Sequence, residues 1–175
     1  ALSLVEARDL ITDAAVKQRV QAAIAKTVAY LQQVNIASIE TPYAAALITF
    51  ALVKAGVSTA ADVDAMIATV ESLWTTSAAA VADEDEPYNP WSYCYITPSA
   101  DVETVAYAVL VMTEVGRLDD AYAASKWLVE KRGGHGGWQS TQDTVVGLEA
   151  LSAYSAAVYA AQDDITVTIS AGEGF

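Results

Sequence analysis

Three stretches of this sequence read as helices that are apolar almost all round. They are Pro42 to Ala55, "PYAAALITFALVKA", Asp101 to Val115, "DVETVAYAVLVMTEV", and Thr141 to Val158. A helix apolar on every side has to be buried on every side. Amphipathic stretches alternate with them. From about Asp13 to Val34 one stripe carries Val16, Val20, Ala23, Ile24, Thr27 (through its methyl), Val28 and Leu31, with Lys17, Gln18, Arg19, Lys26 and Gln32 off it. A second amphipathic helix is expected from about Ala60, with Val63, Met66, Ile67, Val70, Leu73 and Trp74 on its stripe. A third starts near Leu118, with Ala121, Tyr122, Leu128 and Val129 inward and Asp119, Asp120, Lys126 and Glu130 outward.

The boundaries of these helices are marked locally. Thr41-Pro42 is an N-cap followed by proline at the first helical position. Ser140-Thr141-Gln142-Asp143 has the form of a capping box, with aspartate in place of glutamate. Gly56 and Gly116 stand where a left-handed C-cap is wanted. "ETVAYAVL" from Glu103 and "DTVVGLEAL" from Asp143 align on acid-Thr-Val, 40 residues apart. Repeats of that length signal stacked helical units. An inner helix shielded by an outer one, taken three times, gives a solenoid or a closed double ring. Inner helices this uniformly apolar favour closure, so the expected fold is all-α, a partial α/α toroid.

Three helical pairs leave such a ring half open, and the chain reads as a piece of something larger. "ALSLVEA" has the look of the tail of a helix. At the other end, "ITVTIS" from Ile165 to Ser170 alternates β-branched and polar residues like a half-buried strand. One strand is not stable alone, so it is expected to open a β-domain. The expected division is residues 1–160 helical and 161–175 the start of that β-domain.

The chemistry on offer is sparse. A net charge of −13, from 22 acidic and 9 basic residues, repels phosphate backbones and argues against nucleic acid. Charge-free runs such as Thr41 to Val53 stop short of the roughly 18 apolar residues of a membrane span, so none is expected. "ALSLVEAR" has neither the basic region nor the apolar run of a signal peptide. One cysteine, Cys94, and one histidine, His135, do not make a zinc site, and no cofactor is expected. His135 lies in the link Gly133-Gly134-His135-Gly136-Gly137, whose glycines are expected to turn the chain through positive φ. Asp83 to Glu86 is a solvated acidic run, and Trp91, Tyr93 and Tyr95 alternate as in a short extended segment. No basic residue lies within ten positions of Cys94 to lower its pKa; a disulfide to a residue elsewhere, or a quiet thiol, is its expected role. No catalytic residue emerges.

One passage is specific enough to suggest a family. "WLVEKRGGHGGWQSTQDTVVGLEALSAY", Trp127 to Tyr154, closely resembles the last helical hairpin of the thioester domain in alpha-2-macroglobulins and complement proteins. "PSADVETVAYAVLVM" and "YAAALITFALVKAG" resemble the two preceding inner helices, "LSLVEA" the end of a still earlier one, and "ITVTISAGEGF" the first strand of the β-domain that resumes after the insertion. "STQDTVV" places the likeness nearer the alpha-2-macroglobulin branch than complement. The resemblance implies a ring closed by upstream helices, in a secreted protease trap or innate-immune opsonin. Its partners would be the rest of the parent chain and, through it, proteases or cell surfaces. In the family a thioester joins the cysteine and glutamine of a Gly-Cys-Gly-Glu-Gln motif, which is absent from this sequence. The family's reactive motif leads into a ring helix. That makes Gln139, Ser140, Thr141, Gln142 and Asp143 a candidate loop on the thioester rim, ordering the turn without entering the chemistry.

Two other readings come from different classes. A toroidal enzyme of the prenyltransferase or terpene cyclase type is suggested by "GGHGGW", but its zinc or diphosphate site has no counterpart in the sequence. An acidic, receptor-binding fragment of complement type would rest on the charge alone.

Overall fold

The computed structural model describes residues 2–75 and 99–161. The expectations for Cys94, for residues 83–86 and 91–95, and for the strand at 165–170 lie outside the described residues. Within them every regular element is helical. The order is α1 (Leu2–Ala7), a 3-10 turn (Arg8–Leu10), α2 (Ala14–Leu31), a second 3-10 turn (Ile36–Ser38), α3 (Pro42–Lys54), α4 (Ala60–Val70), α5 (Ser72–Thr75), α6 (Ser99–Glu114), α7 (Leu118–Glu130) and α8 (Thr141–Ala161).

Helices α3, α6 and α8 lie side by side with α6 in the middle. Against them pack α4, which covers α3 and α6, and α7, which covers α6 and α8. The three helices read as apolar all round thus form one layer, called inner below, and two of the three amphipathic ones form a second. Side-chain pairs fix the directions. Tyr43 in the first turn of α3 meets Glu103 near the start of α6, while Lys54 and Glu114 pair at 3.3 Å where the two helices end. Thus α3 and α6 run parallel. The turn at 115–117 reverses the chain into α7, and Tyr154 of α8 lies beside Asp119 and Tyr122 at the start of α7. Helix α8 therefore runs with α6, and all three inner helices begin at one end of the molecule.

The core sits on α6, where Val105, Ala106, Val109, Val111 and Met112 are wholly buried, with Met66 of α4 and Leu128 of α7 against them. Left-handed glycines end α3 and α6, Gly56 at φ 72° and Gly116 at φ 77°, where an L side chain would be strained. Asp13 caps α2 by accepting from the Val16 N–H at 2.9 Å. Thr41 has the extended backbone of an N-cap, yet its side chain accepts no capping bond; Pro42 still stands at the first helical position. The sequence reading overlooked a complete capping box at the start of α4. There the Thr59 N–H donates to Asp62 at 2.8 Å and the Asp62 N–H donates to Thr59 Oγ1 at 3.2 Å.

Several stripes are less covered than expected. No residue of α2 is fully buried, and Val16 is exposed, because among the described elements only α1, the first turn and α3 touch that helix. On α7 the inward residues are Ala121, Ala124, Ser125, Trp127 and Leu128; Tyr122 and Val129 are 61% and 52% exposed. Those two sit about 100° round the helix from Ala121 and Leu128, at the edge of the covered face, where Tyr122 stands beside Tyr154 of α8 and is still mostly exposed. The expected stripe through Trp74 is interrupted at Glu71, and a separate short helix, α5, follows. Helix α8 was expected to be enclosed, but it buries only the face of Asp143, Val146, Gly147 and Ala150. No described helix covers its other side. It is also the one described helix long and apolar enough, by length and composition alone, to cross a membrane, and it carries two carboxylates, Asp143 and Glu149. Its docking on α6 and α7, with Asp143 wholly buried, engages one face of that helix.

Candidate functional site at the start of the inner helices

The ten residues between α7 and α8 end in a tightly bonded unit. Ser140 and Asp143 form the expected capping box, the Asp143 N–H donating to Ser140 Oγ at 3.0 Å and the Ser140 N–H to Asp143 Oδ2 at 3.2 Å. Thr144 Oγ1 donates to the Ser140 carbonyl at 2.9 Å and accepts from the Trp138 N–H at 3.1 Å. The Trp138 ring lies across α8 at Gly147, where an added Cβ would stand 2.6 Å from the ring. Only glycine admits that contact. On the outer side Arg132 donates through Nε and Nη2 to the Gly136 carbonyl, at 2.8 and 2.6 Å, with its guanidinium 5.8 Å from the Trp138 ring centroid. Of the glycines in this link only Gly136 takes a positive φ, so the turn depends on one glycine there.

The candidate residues thus sit together at the head of α8. Gln139, Thr141 and Gln142 are exposed, Ser140 is half-buried, and Asp143 is 0% exposed. Gln142 reaches sideways to hydrogen-bond with Tyr107 of α6, which Glu149 also approaches. Tyr107 packs against Phe50 with ring centroids 5.5 Å apart and against Tyr43, edge to face, at 6.2 Å. Tyr43 in turn donates to Glu103. This aromatic and carboxylate band spans the starts of α3, α6 and α8, and the sequence reading did not find it. The signal, Tyr43, Glu103 and Gln142 at the heads of three similar helices, has meaning only once their directions are known.

Burial raises the phenols of Tyr43 and Tyr107 above their ordinary value, and the neighbouring Glu103 carboxylate pushes both the same way. Burial likewise raises the Asp101 carboxyl in the first turn of α6. Two phenols held in protonated form beside carboxylates are poor nucleophiles. His135 is exposed at the tip of the link, and the described residues contain no group of three or more potential metal ligands. The arrangement orders backbone and binds helices to one another.

The family model for the A-macroglobulin TED domain matches residues 1–154. The chain belongs to that family. No solved structure matches it. A TED domain is not in itself an enzyme domain. The match spans every described helix from α1 to α7 and the first part of α8, as far as Tyr154, including the whole "GGWQSTQDTVVG" unit.

Proposed function

We propose that this TED-domain chain is the non-catalytic scaffold portion of a thioester domain in a secreted, alpha-2-macroglobulin-like protein that traps endopeptidases. The observation that carries the reading is the family match over residues 1–154. The choice of branch rests on "STQDTVV", which here forms the capped head of α8. In this reading the two helical layers are an arc of an α/α toroid, completed by helices other than the described ones. The uncovered apolar residues of α8, Val145 and Leu148 at 56% and 45% exposure, support that closure, because a solitary monomer rarely leaves such a face to water. The helical domain extends to about residue 160, and residues 161–175 open a β-domain.

The reading gives the head of α8 a place in the parent protein. Gln139 to Asp143 stand on the rim where the reactive thioester lies, and their task is to order that rim. Cys94 is disulfide-bonded to a residue outside this chain, or inert. To test the trap, the parent protein is mixed with an endopeptidase, and cleavage of a large protein and of a small peptide is followed. Loss of activity on the protein with activity on the peptide retained is expected. Unimpaired cleavage of the large substrate, with covalent deposition of the parent on surfaces, would instead make it an opsonin.

A further inference from the structure

Lys131-Arg132 is the single adjacent pair among the nine basic residues of the sequence. It lies where α7 gives way to the glycine-rich link, and from Val129 to His135 every residue but Lys131 is exposed. Three small or polar residues, Gly133, Gly134 and His135, follow the pair, so nothing bulky stands beyond it. We propose that the Arg132–Gly133 peptide bond is a processing site for an endopeptidase that reads paired basic residues. Exposed loop tips of small residues are the preferred places for such nicking. Hydrolysis adds water across the bond: hydroxyl to the Arg132 carbonyl carbon and hydrogen to the Gly133 nitrogen, leaving a carboxylate and an amine.

The other basic residues are poorer substrates for physical reasons. Arg117 is held by Asp64 and Asp120, Lys54 by Glu114 and Arg8 by Asp9. Lys17, Arg19, Lys26 and Lys126 lie within helices, whose backbone must unwind before an active site can accept it. At the link no helix has to unwind: the Arg132 N–H reaches the Val129 carbonyl at 3.3 Å, and the Gly133 N–H of the scissile bond donates to the Gly137 carbonyl at 2.7 Å and must be released first. Arg132 itself is not free. Its two bonds to the Gly136 carbonyl and its place over Trp138 must open before the guanidinium can enter an acidic specificity pocket. The strap makes cleavage follow a local opening, so its rate reports that opening.

The test uses the full chain with limiting trypsin and, separately, with a paired-basic endopeptidase, the first fragments being weighed by mass spectrometry. The expected first products are residues 1–132 and 133–175 with both enzymes. Arg132→Gln should abolish that first cut with both, and Lys131→Gln should slow only the paired-basic enzyme. Arg132→Lys keeps a cleavable cation and loses the two-pronged grip on Gly136, so trypsin should cut it a few-fold faster at the same bond. A first cut inside α2, or an Arg132→Gln chain nicked at its normal rate in the link by the paired-basic enzyme, would overturn the site. An Arg132→Lys chain cut no faster by trypsin would overturn the strap.

Discussion

Helices α6 and α8 are both long, alanine- and valine-rich and without a basic residue, yet only α6 is enclosed. It has α3 on one side, α8 on the other, and α4 and α7 outside it, so its residues from Val105 to Met112 are buried except the half-buried Tyr107. Helix α8 has α6 and α7 along one face and leaves Val145, Leu148 and Tyr159 in the open. The same composition thus accompanies two situations among the described residues: a helix covered all round, and one covered along one face. An apolar face states a demand for burial. Meeting it depends on other parts of the fold.

Mutations should divide along this line. Met112→Ala, in a fully enclosed site, should destabilise the chain by about 2–5 kcal/mol in chemical unfolding, the range for truncating a buried large side chain. Val145→Ala on the open face should cost about 0.5 kcal/mol or less. Equal losses would remove the distinction between the two helices. On the side of α8 that is engaged, Gly147→Ala would drive the Trp138 ring from its seat. About 1–3 kcal/mol of destabilisation is expected, with a change in tryptophan fluorescence.

The helix caps sharpen the comparison at smaller scale. Ser140→Ala and Thr59→Ala each break a closed capping box and should cost about 0.5–2 kcal/mol. Thr41→Ala, at a cap whose side chain makes no such bond, should change thermal stability far less. Ser140→Ala should also alter methylamine reactivity of the parent thioester if the head of α8 stands on the reactive rim.

The smallest effect is electrostatic. Tyr43 and Tyr107 have folded pKa values above the ordinary 10.0, through burial first and Glu103 second. Above pH 10 the unfolded chain therefore loses these protons before the folded one does. Stability falls as pH climbs from about 10 through the raised values. Ultraviolet titration of Glu103→Gln should show Tyr43 ionising earlier than in the parent sequence, with burial still holding it above the ordinary value. No change would mean that Glu103 does not face it.

What the sequence made legible was mostly local. The six long helices and both C-cap glycines follow from periodicity or from residues within one turn of each other, as does the Ser140–Asp143 box. Thr59-x-x-Asp62 was equally local and was simply missed. Other features required the third dimension. Nothing near Thr41 says that its hydroxyl goes unused, and nothing near Gly147 says that Trp138, nine residues earlier, lies on it. Tyr122 and Val129 fit an apolar stripe as well as Ala121 and Leu128 do; which side is covered depends on the directions of α6 and α8. The Tyr43, Glu103, Tyr107 and Gln142 band joins three helices about 40 to 100 residues apart along the chain, as any contact between repeats must.

The account stands on the claim that the open face of α8 is covered in the longer protein by helices that complete the ring. Leu148→Cys, in a Cys94→Ser background, places one thiol on that face, and its labelling rate by a maleimide can be compared in the isolated chain and in the full parent protein. Rapid labelling of the isolated chain and strong protection in the parent are predicted. Equally rapid labelling in both would contradict the claim.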